Sequence, residues 1–121
     1  QPRKGKHHVA AAASSNTAMQ RVVDAIEADL ARTPSLEALA RVGGMHASHL
    51  SRSFRRTFGE SVGGYLRRRR LETADAQLAH TESSLAEIAA AAGFCDQSHF
   101  TRAYARHFGL TPGQRRRVGK S

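Results

Sequence analysis

The sequence contains few cysteine and aromatic residues. It contains one cysteine, no tryptophan and 6% aromatic residues. The single cysteine, Cys95, excludes a disulfide framework within one chain and fits a reducing cytoplasm. No apolar run approaches the roughly 18 residues of a membrane span, and the N-terminus does not have the charged-then-apolar pattern of a signal peptide. Runs of β-branched residues are also absent, so the sequence favours an all-α fold over a sheet.

Acidic residues are in the minority, and this imbalance indicates a polyanionic partner. The chain has 10 acidic residues against 19 Lys and Arg, which gives a net charge of +9 and a pI near 11.2. Nucleic acid is the first candidate partner, and an anionic membrane surface is the second. The sequence also lacks a phosphate-binding loop, paired carboxylates and a further cysteine that would complete a zinc site with Cys95 and His99. We therefore predict no metal, no cofactor and no enzymatic activity.

A segment of about 25 residues occurs twice, at 35–59 and at 84–109. Each copy has the pattern of a short helix, a glycine turn and a longer helix, which is typical of a helix-turn-helix. Two such units suit the recognition of two places on one long object, and DNA is the first candidate. The copies match at an offset of 49 up to the turn and of 50 after it, through the pairs Ser35 and Ser84, Leu36 and Leu85, Ala40 and Ala89, Gly44 and Gly93, Ser48 and Ser98, His49 and His99, Arg52 and Arg102, Arg56 and Arg106, Phe58 and Phe108, and Gly59 and Gly109.

Apolar periodicity and capping residues predict about seven helices. Ser35, Ser84 and Asp96 are expected N-caps, because their side-chain oxygens can accept hydrogen bonds from the first turn of a helix. Gly59 is the expected C-terminal cap of the longer helix in the first copy. The predicted helices are Thr17–Ala31, Leu36–Val42, Ala47–Thr57, Ser61–Ala79, Leu85–Ala92 and Gln97–His107, followed by a short final turn from Thr111.

The predicted helix between the two copies carries two apolar patches on opposite sides. At 100° per residue the patches are roughly 150° apart, and each lies at its own end of the helix. We therefore expect a connector whose first half completes the first unit and whose second half completes the second. A helix of about 19 residues spans roughly 28 Å, which is close to one turn of DNA at roughly 34 Å. The patches consist of Val62, Tyr65 and Leu66, and of Leu71, Ala74 and Leu78.

Four consecutive arginines, Arg67 to Arg70, lie within this connector. Consecutive residues of a helix point in different directions, so these four side chains do not form a single basic patch. We expect at least two of them to be solvated or to stack on neighbouring side chains, and one or two of them to reach a phosphate.

With these residues in view, the chain resembles the DNA-binding domain of the AraC/XylS family of bacterial transcription regulators. The resemblance covers about Met19 to Arg117 and is strongest in the second copy. It implies two helix-turn-helix subdomains joined by a long helix, with both recognition helices in successive major grooves on one side of the DNA. Such domains usually lie behind a ligand-sensing or dimerising domain, so we expect a missing N-terminal domain of that kind. The matching residues are Ile88-Ala89, Gly93-Phe94, Asp96 to Phe100, Arg102, Phe108-Gly109 and Thr111-Pro112 in the second copy, Leu36, Leu39-Ala40, His49 to Arg52, Phe54 and Gly59 in the first, and Tyr65, Arg70-Leu71 and Ala74 in the connector.

The resemblance also implies which residues contact DNA. Arg52 and Arg102 are the foremost candidates for base contacts, because a guanidinium can donate to guanine O6 and N7 together. Arg55, Arg56 and Arg106 are expected phosphate contacts, which position a protein without reading sequence. The implied base-contacting residues are Ser48, Ser51 and Arg52 in the first copy and Gln97 (a candidate for adenine), Ser98, His99, Thr101 and Arg102 in the second.

Three residues depart from the family pattern. His46 takes the place of the serine or threonine that usually caps the first recognition helix, so this helix start is expected to fray. Ser53 takes the place of a leucine or a similar apolar residue, which predicts looser packing in the first unit. Arg115 takes the place of a tyrosine, so we expect either a less firmly packed last helix or a phosphate contact. The second unit is therefore expected to be the better ordered of the two.

Together these features predict a sequence-specific, double-stranded DNA-binding domain of a bacterial transcription regulator, and we expect an activator. A nonspecific architectural DNA binder is the alternative. RNA polymerase is a further candidate partner, and this chain by itself is expected to be monomeric and cytoplasmic. The predicted organisation is a flexible basic linker or tag remnant at 1–15, a domain at 16–117 made of a first lobe at 16–60, a connector at 61–80 and a second lobe at 81–117, and a basic tail at 118–121.

Overall fold

The computed structural model describes residues 17–32 and 34–119 of the chain. This part consists of seven α-helices and contains no strand, which confirms the predicted all-α fold. The predicted linker at 1–15 and the end of the predicted basic tail lie outside the described residues. The helices are α1 at 17–28, α2 Leu36–Gly43, α3 Ala47–Phe58, α4 Val62–His80, α5 Leu85–Ala91, α6 Gln97–Phe108 and α7 Pro112–Gly119.

The helices divide into two compact units. The first unit comprises residues 17–29 and 34–62 and holds α1, α2 and α3. The second comprises residues 30–32 and 63–119 and holds α4 to α7, so that α4 groups with the second unit over nearly its whole length. Each unit therefore contains one copy of the repeated segment, as α2 and α3 in the first and as α5 and α6 in the second.

The short helix of each copy begins at the predicted serine cap. In α2 the backbone N–H of Ala38 donates to Ser35 Oγ at 3.0 Å. In α5, Ser84 and Glu87 form a capping box, in which the backbone N–H of Ser84 donates to the Glu87 carboxylate at 2.8 Å. This hydrogen bond, with that from Ser84 Oγ, lowers the pKa of Glu87. The caps satisfy backbone donors that the first turn of a helix leaves without a partner.

The two longer helices differ in their N-caps. In α6 the backbone N–H of His99 donates to Asp96 Oδ1 at 2.7 Å. His46 occupies the corresponding position of α3 with the extended backbone of a cap (φ −77°, ψ 152°), but it makes no side-chain cap hydrogen bond. The weaker cap expected at His46 is therefore confirmed, and α3 begins with one satisfied donor fewer than α6.

The first unit packs the apolar faces of three helices together. Leu50 and Phe54 of α3 are fully buried. Ser53 is also buried, and its Oγ lies 3.3 Å from Nε2 of His49, within hydrogen-bond distance. The hydroxyl that replaces the usual leucine thus has a polar partner and is not left unsatisfied. The buried residues of α1 and α2 are Met19, Val22, Ile26, Leu39 and Ala40.

The second unit is built on a row of aromatic rings along α6. Ring centroids lie 5.3 Å apart for Phe94 and Phe100, 5.8 Å for Phe100 and Tyr104, and 4.5 Å for Tyr104 and Phe108. Such edge-to-face and tilted pairs add to the stability that burial provides. The second predicted patch of the connector is part of this core. The residues of α4 and α5 in the core are Leu71, Ala74, Leu78, Ile88 and Ala89.

The residues that follow α1 are held within the second unit by Arg70. Its Nε donates to the carbonyl of Leu30 at 2.6 Å, and its Nη2 donates to that of Arg32 at 2.9 Å. The turn after α5 passes close to this contact at Gly93, which has a φ of +95°. A Cβ at Gly93 would lie 2.9 Å from the backbone of Ala31 and from Arg70 Nε, so this position requires glycine both for its conformation and for space.

Asp75 of α4 joins α6 and α7. Tyr104 Oη donates to Asp75 Oδ1 at 2.5 Å, and Arg115 Nε donates to the same oxygen at 2.9 Å. Arg115 is therefore bound inside the second unit, which differs from the loose packing or phosphate contact that its place in the sequence suggested. Arg116 fastens α7 further, through hydrogen bonds of 2.5–3.3 Å to the carbonyl groups of Leu78, Thr81 and Ser83.

Replacing His46 by Asp should copy the cap of the second unit into the first. We expect His46→Asp to stabilise the start of α3 by about 1 kcal/mol, and Asp96→Ala to destabilise α6 by about 1 kcal/mol. Native-state amide hydrogen exchange measures both effects separately in the two units. Unchanged exchange in α3 of the His46→Asp variant, or faster wild-type exchange in the second unit than in the first, would contradict this assignment.

Tyr104 should ionise at unusually high pH. Burial, and then the Asp75 carboxylate beside it, raise the pKa of Tyr104 well above its ordinary value of about 10. Because the folded-state pKa is raised, the hydroxyl stabilises the fold at and below pH 10, and this stability is lost as the pH rises through the folded-state value. Ultraviolet titration should therefore show a late ionisation that Tyr104→Phe removes. An identical late ionisation in that variant would show that another residue is responsible for it.

Candidate nucleic-acid interface

The outer face of α6 is set by the burial of its inner face. Phe100 and Tyr104 are fully buried, and since a helix turns 100° per residue, the residues opposite them must lie at the surface. Four of the residues predicted to contact bases lie on this outer side. Gln97, Ser98, Thr101 and Arg102 together line one shallow, open depression.

His99 lies on another flank of α6. Its ring meets Phe94 edge-on, with the ring centroids 5.3 Å apart and the planes at 78°. The same ring lines the side of α6 that faces Arg67 of α4. The structure thus separates His99 from the depression formed by the four other residues, and a base contact by His99 stays a prediction.

α3 presents the equivalent positions of the first unit. Ser48, Ser51 and Arg52 are all exposed, on the side opposite the fully buried Leu50 and Phe54. The same alternation of buried and exposed residues therefore orients both helices, as the repeat in the sequence predicted. Base contacts by these three residues also stay predictions.

The arginines predicted to contact DNA are available to an external anion. Arg55, Arg56 and Arg106 are exposed, and no hydrogen bond or ion pair joins their guanidinium groups to any other residue within 17–32 and 34–119. The same holds for Arg52 and Arg102. Guanidinium groups without an internal partner can donate to a phosphate or a base edge without breaking an existing contact.

Three of the four consecutive arginines of α4 are engaged inside the protein. Arg68 Nη1 and Arg69 Nη1 donate to the two carboxylate oxygens of Glu72 at 3.0 and 2.9 Å, and the Arg68 guanidinium lies 5.1 Å from the centre of the Tyr65 ring. Burial alone would raise the pKa of Glu72, but the hydrogen bonds from Arg69 and Arg68 outweigh it and lower that pKa. Arg70 binds backbone carbonyls, as described above. The spacing of three and four residues to Glu72 is a sequence signal that predicts these ion pairs.

Cys95, the one cysteine, is an exposed residue beside the cap of α6. In the part of the chain that the structure describes, no three side chains of His, Cys, Asp or Glu lie together as a metal site requires. No helix of that part is long and apolar enough to cross a membrane.

Two helix-turn-helix units, each with an outward-facing helix whose exposed arginines have no partner among the described residues, define a double helix-turn-helix protein of the DNA-binding class. Comparison with known families agrees, because residues 39–117 match a helix-turn-helix domain family. The chain belongs to the AraC/XylS family of bacterial transcription regulators, as a DNA-binding domain of that family.

The chain resembles individual members of this family at moderate identity. It is 32% identical to the transcriptional activator RhaR of Klebsiella pneumoniae over 111 residues, which are 92% of this chain but only 40% of RhaR. The structure of an AraC-type transcriptional regulator from Chromobacterium violaceum matches with a TM-score of 0.80 and 29% identity, over 88% of this chain and 96% of that one. The DNA-binding domain of AdpA, solved with a target DNA, matches with a TM-score of 0.76 and 25% identity, over 84% of this chain and 90% of that one.

Proposed function

We propose that this domain binds double-stranded DNA sequence-specifically, with α3 and α6 as recognition helices in successive major grooves. The observation that carries the proposal is the outer face of α6, where polar side chains around Arg102 share one open depression while the opposite face is buried. The similarity to the AdpA domain, which was solved with a target DNA, supports the same conclusion.

The outer face of α6 has the chemistry of base recognition. Arg102 offers a planar set of donors that matches guanine O6 and N7, and Gln97 can both donate to and accept from adenine. Ser98 and Thr101 are small, so the helix can approach the base edges closely while their hydroxyl groups remain able to hydrogen bond. A bidentate contact of this kind contributes roughly 1–3 kcal/mol of discrimination against the wrong base.

A second recognition helix follows from the repeat. Ser48, Ser51 and Arg52 place hydroxyl groups and a guanidinium on α3 in the same order as Ser98, Thr101 and Arg102 on α6, offset by 50 positions in the sequence. Successive grooves are proposed because the resemblance to the AraC/XylS family implies two recognition helices on one side of the DNA, about one DNA turn apart.

Phosphate contacts would hold both helices in register. Arg55 and Arg56 follow the base-contacting positions of α3, and Arg106 follows those of α6, where each can reach the DNA backbone beside the groove. The affinity that such contacts contribute falls as the salt concentration rises, and they carry no sequence information.

The whole protein is proposed to be larger than this domain. The chain spans 40% of RhaR, which is named as an activator. We infer a further domain that senses a ligand or dimerises, an activating role, and RNA polymerase as a partner at the promoter. The domain alone is proposed to be a monomer, and a chromosomal target implies the bacterial cytoplasm.

Selection of duplexes from a random pool, followed by competition binding, tests sequence specificity. We expect wild type to enrich a defined sequence. Arg102→Ala should relax base preference in one half of that sequence and Arg52→Ala in the other, by roughly 5- to 150-fold each, which corresponds to 1–3 kcal/mol. Arg106→Ala should weaken all duplexes to a similar degree.

Arg21→Ala is the matched control, because Arg21 is an exposed arginine of α1 with no side-chain partner among residues 17–32 and 34–119. It removes the same charge and should leave base preference unchanged. Equal affinity of wild type for all duplexes would refute the proposal and favour the nonspecific architectural alternative. A relaxed preference in Arg21→Ala as large as in Arg102→Ala would show that charge alone explains the effect.

A further inference from the structure

A basic cleft of about 450 Å³ lies between α4 and α6 within the second unit. Its base is formed by Leu71 and Ala103, and no carboxylate from residues 17–32 or 34–119 lines it. Every other lining residue has a nitrogen-bearing side chain. These residues are Arg67 from α4 and His99, Arg102, Arg106 and His107 from α6.

Arg67 is set apart from the three arginines that follow it. Arg68 and Arg69 bind Glu72, and Arg70 binds carbonyl groups. Arg67 is exposed, and no hydrogen bond or ion pair joins its guanidinium to another residue of the described ranges. Of these four arginines, only Arg67 therefore lines the cleft and has no partner among the described residues.

The basic side chains of α6 converge on the cleft because of their spacing. His99, Arg102 and Arg106 are three and four residues apart, which places them along one flank of the helix. Phe94 packs against the His99 ring and fixes its position at the wall of the cleft. Like charges brought together without a counter-ion repel one another, and an anion between them removes that repulsion.

The anion that fits this place is a phosphate of the DNA backbone. Arg102 lines both the cleft and the outer depression of α6, so the two surfaces meet at one side chain. When α6 lies in a major groove, the phosphates that border the groove pass beside its flanks. A diester phosphate offers oxygens to several guanidinium groups at once, as the cleft requires.

We propose that the cleft binds one DNA backbone phosphate, which Arg67 contacts from α4 and Arg106 contacts from α6. This inference rests on the proposed function. A phosphate held from two helices at once fixes the depth and rotation of α6 in the groove, which a contact from α6 alone does not. Arg67 thereby positions the base-reading residues without touching a base.

A scan of the preferred duplex with neutral methylphosphonate linkages tests the pairing. With wild type, we expect one linkage beside the half read by α6 to weaken binding about tenfold when it is neutral. Arg67→Gln should weaken the unmodified duplex to a similar extent, and the same neutral linkage should then have little further effect, as a double-mutant cycle requires. The variant should keep the base preference of wild type, and the negative slope of log affinity against log salt should become shallower by about 0.9.

Arg21→Gln, which removes an equal charge from α1, is the control and should retain the full effect of that linkage. If Arg67→Gln and each neutral linkage weakened duplex binding additively, the inference would be overturned. Sequence-specific binding would remain intact. Saturable binding of inorganic phosphate that Arg67→Gln abolishes, combined with such additivity, would assign the cleft to a free anion instead. Failure of the proposed function is distinct, because wild type would then select no preferred duplex at all.

Discussion

Phe100 and Tyr104 have no exposed surface, and their packing determines how α6 is rotated about its own axis. With the inner face fixed, the helical period assigns every third or fourth residue to the outside. Leu50 and Phe54 have the same effect on α3. Residues at the outer positions can therefore change without disturbing the core, and a fold of this kind can present different side chains to different DNA sequences.

Positive charge is divided between two tasks in this molecule. Some arginines bind groups within the protein, as Arg70 and Arg116 do with backbone carbonyls and Arg115 does with Asp75. Others, such as Arg52 and Arg102, have no partner among the described residues and remain on the outer faces of the recognition helices. Net charge alone therefore overstates the number of cations that can meet a phosphate, and the internal partners decide which ones remain.

The sequence predicted the local features well and the distant contacts poorly. Helix periodicity predicted the second patch of the connector, which lies in the core of the second unit, and Asp96 was recognisable as a cap because it precedes an apolar stripe. The partner of Arg115 was not recognisable, because Asp75 is 40 residues away and only the folded unit brings the two together. α7 is longer than the predicted short turn. It begins at a capping box, in which the Gln114 N–H donates to Thr111 Oγ1 at 3.1 Å and the Thr111 N–H donates to Gln114 Oε1 at 2.8 Å. That motif was present in the sequence and provides the missing signal.

Under the proposed function, α3 and α6 contact one duplex about a helical turn apart. Hydroxyl-radical footprinting on the preferred duplex measures this directly. Two protected segments about 10 base pairs apart, on the same face of the DNA, are the predicted result. A single protected segment, or protection of equal strength along the whole duplex, would contradict it.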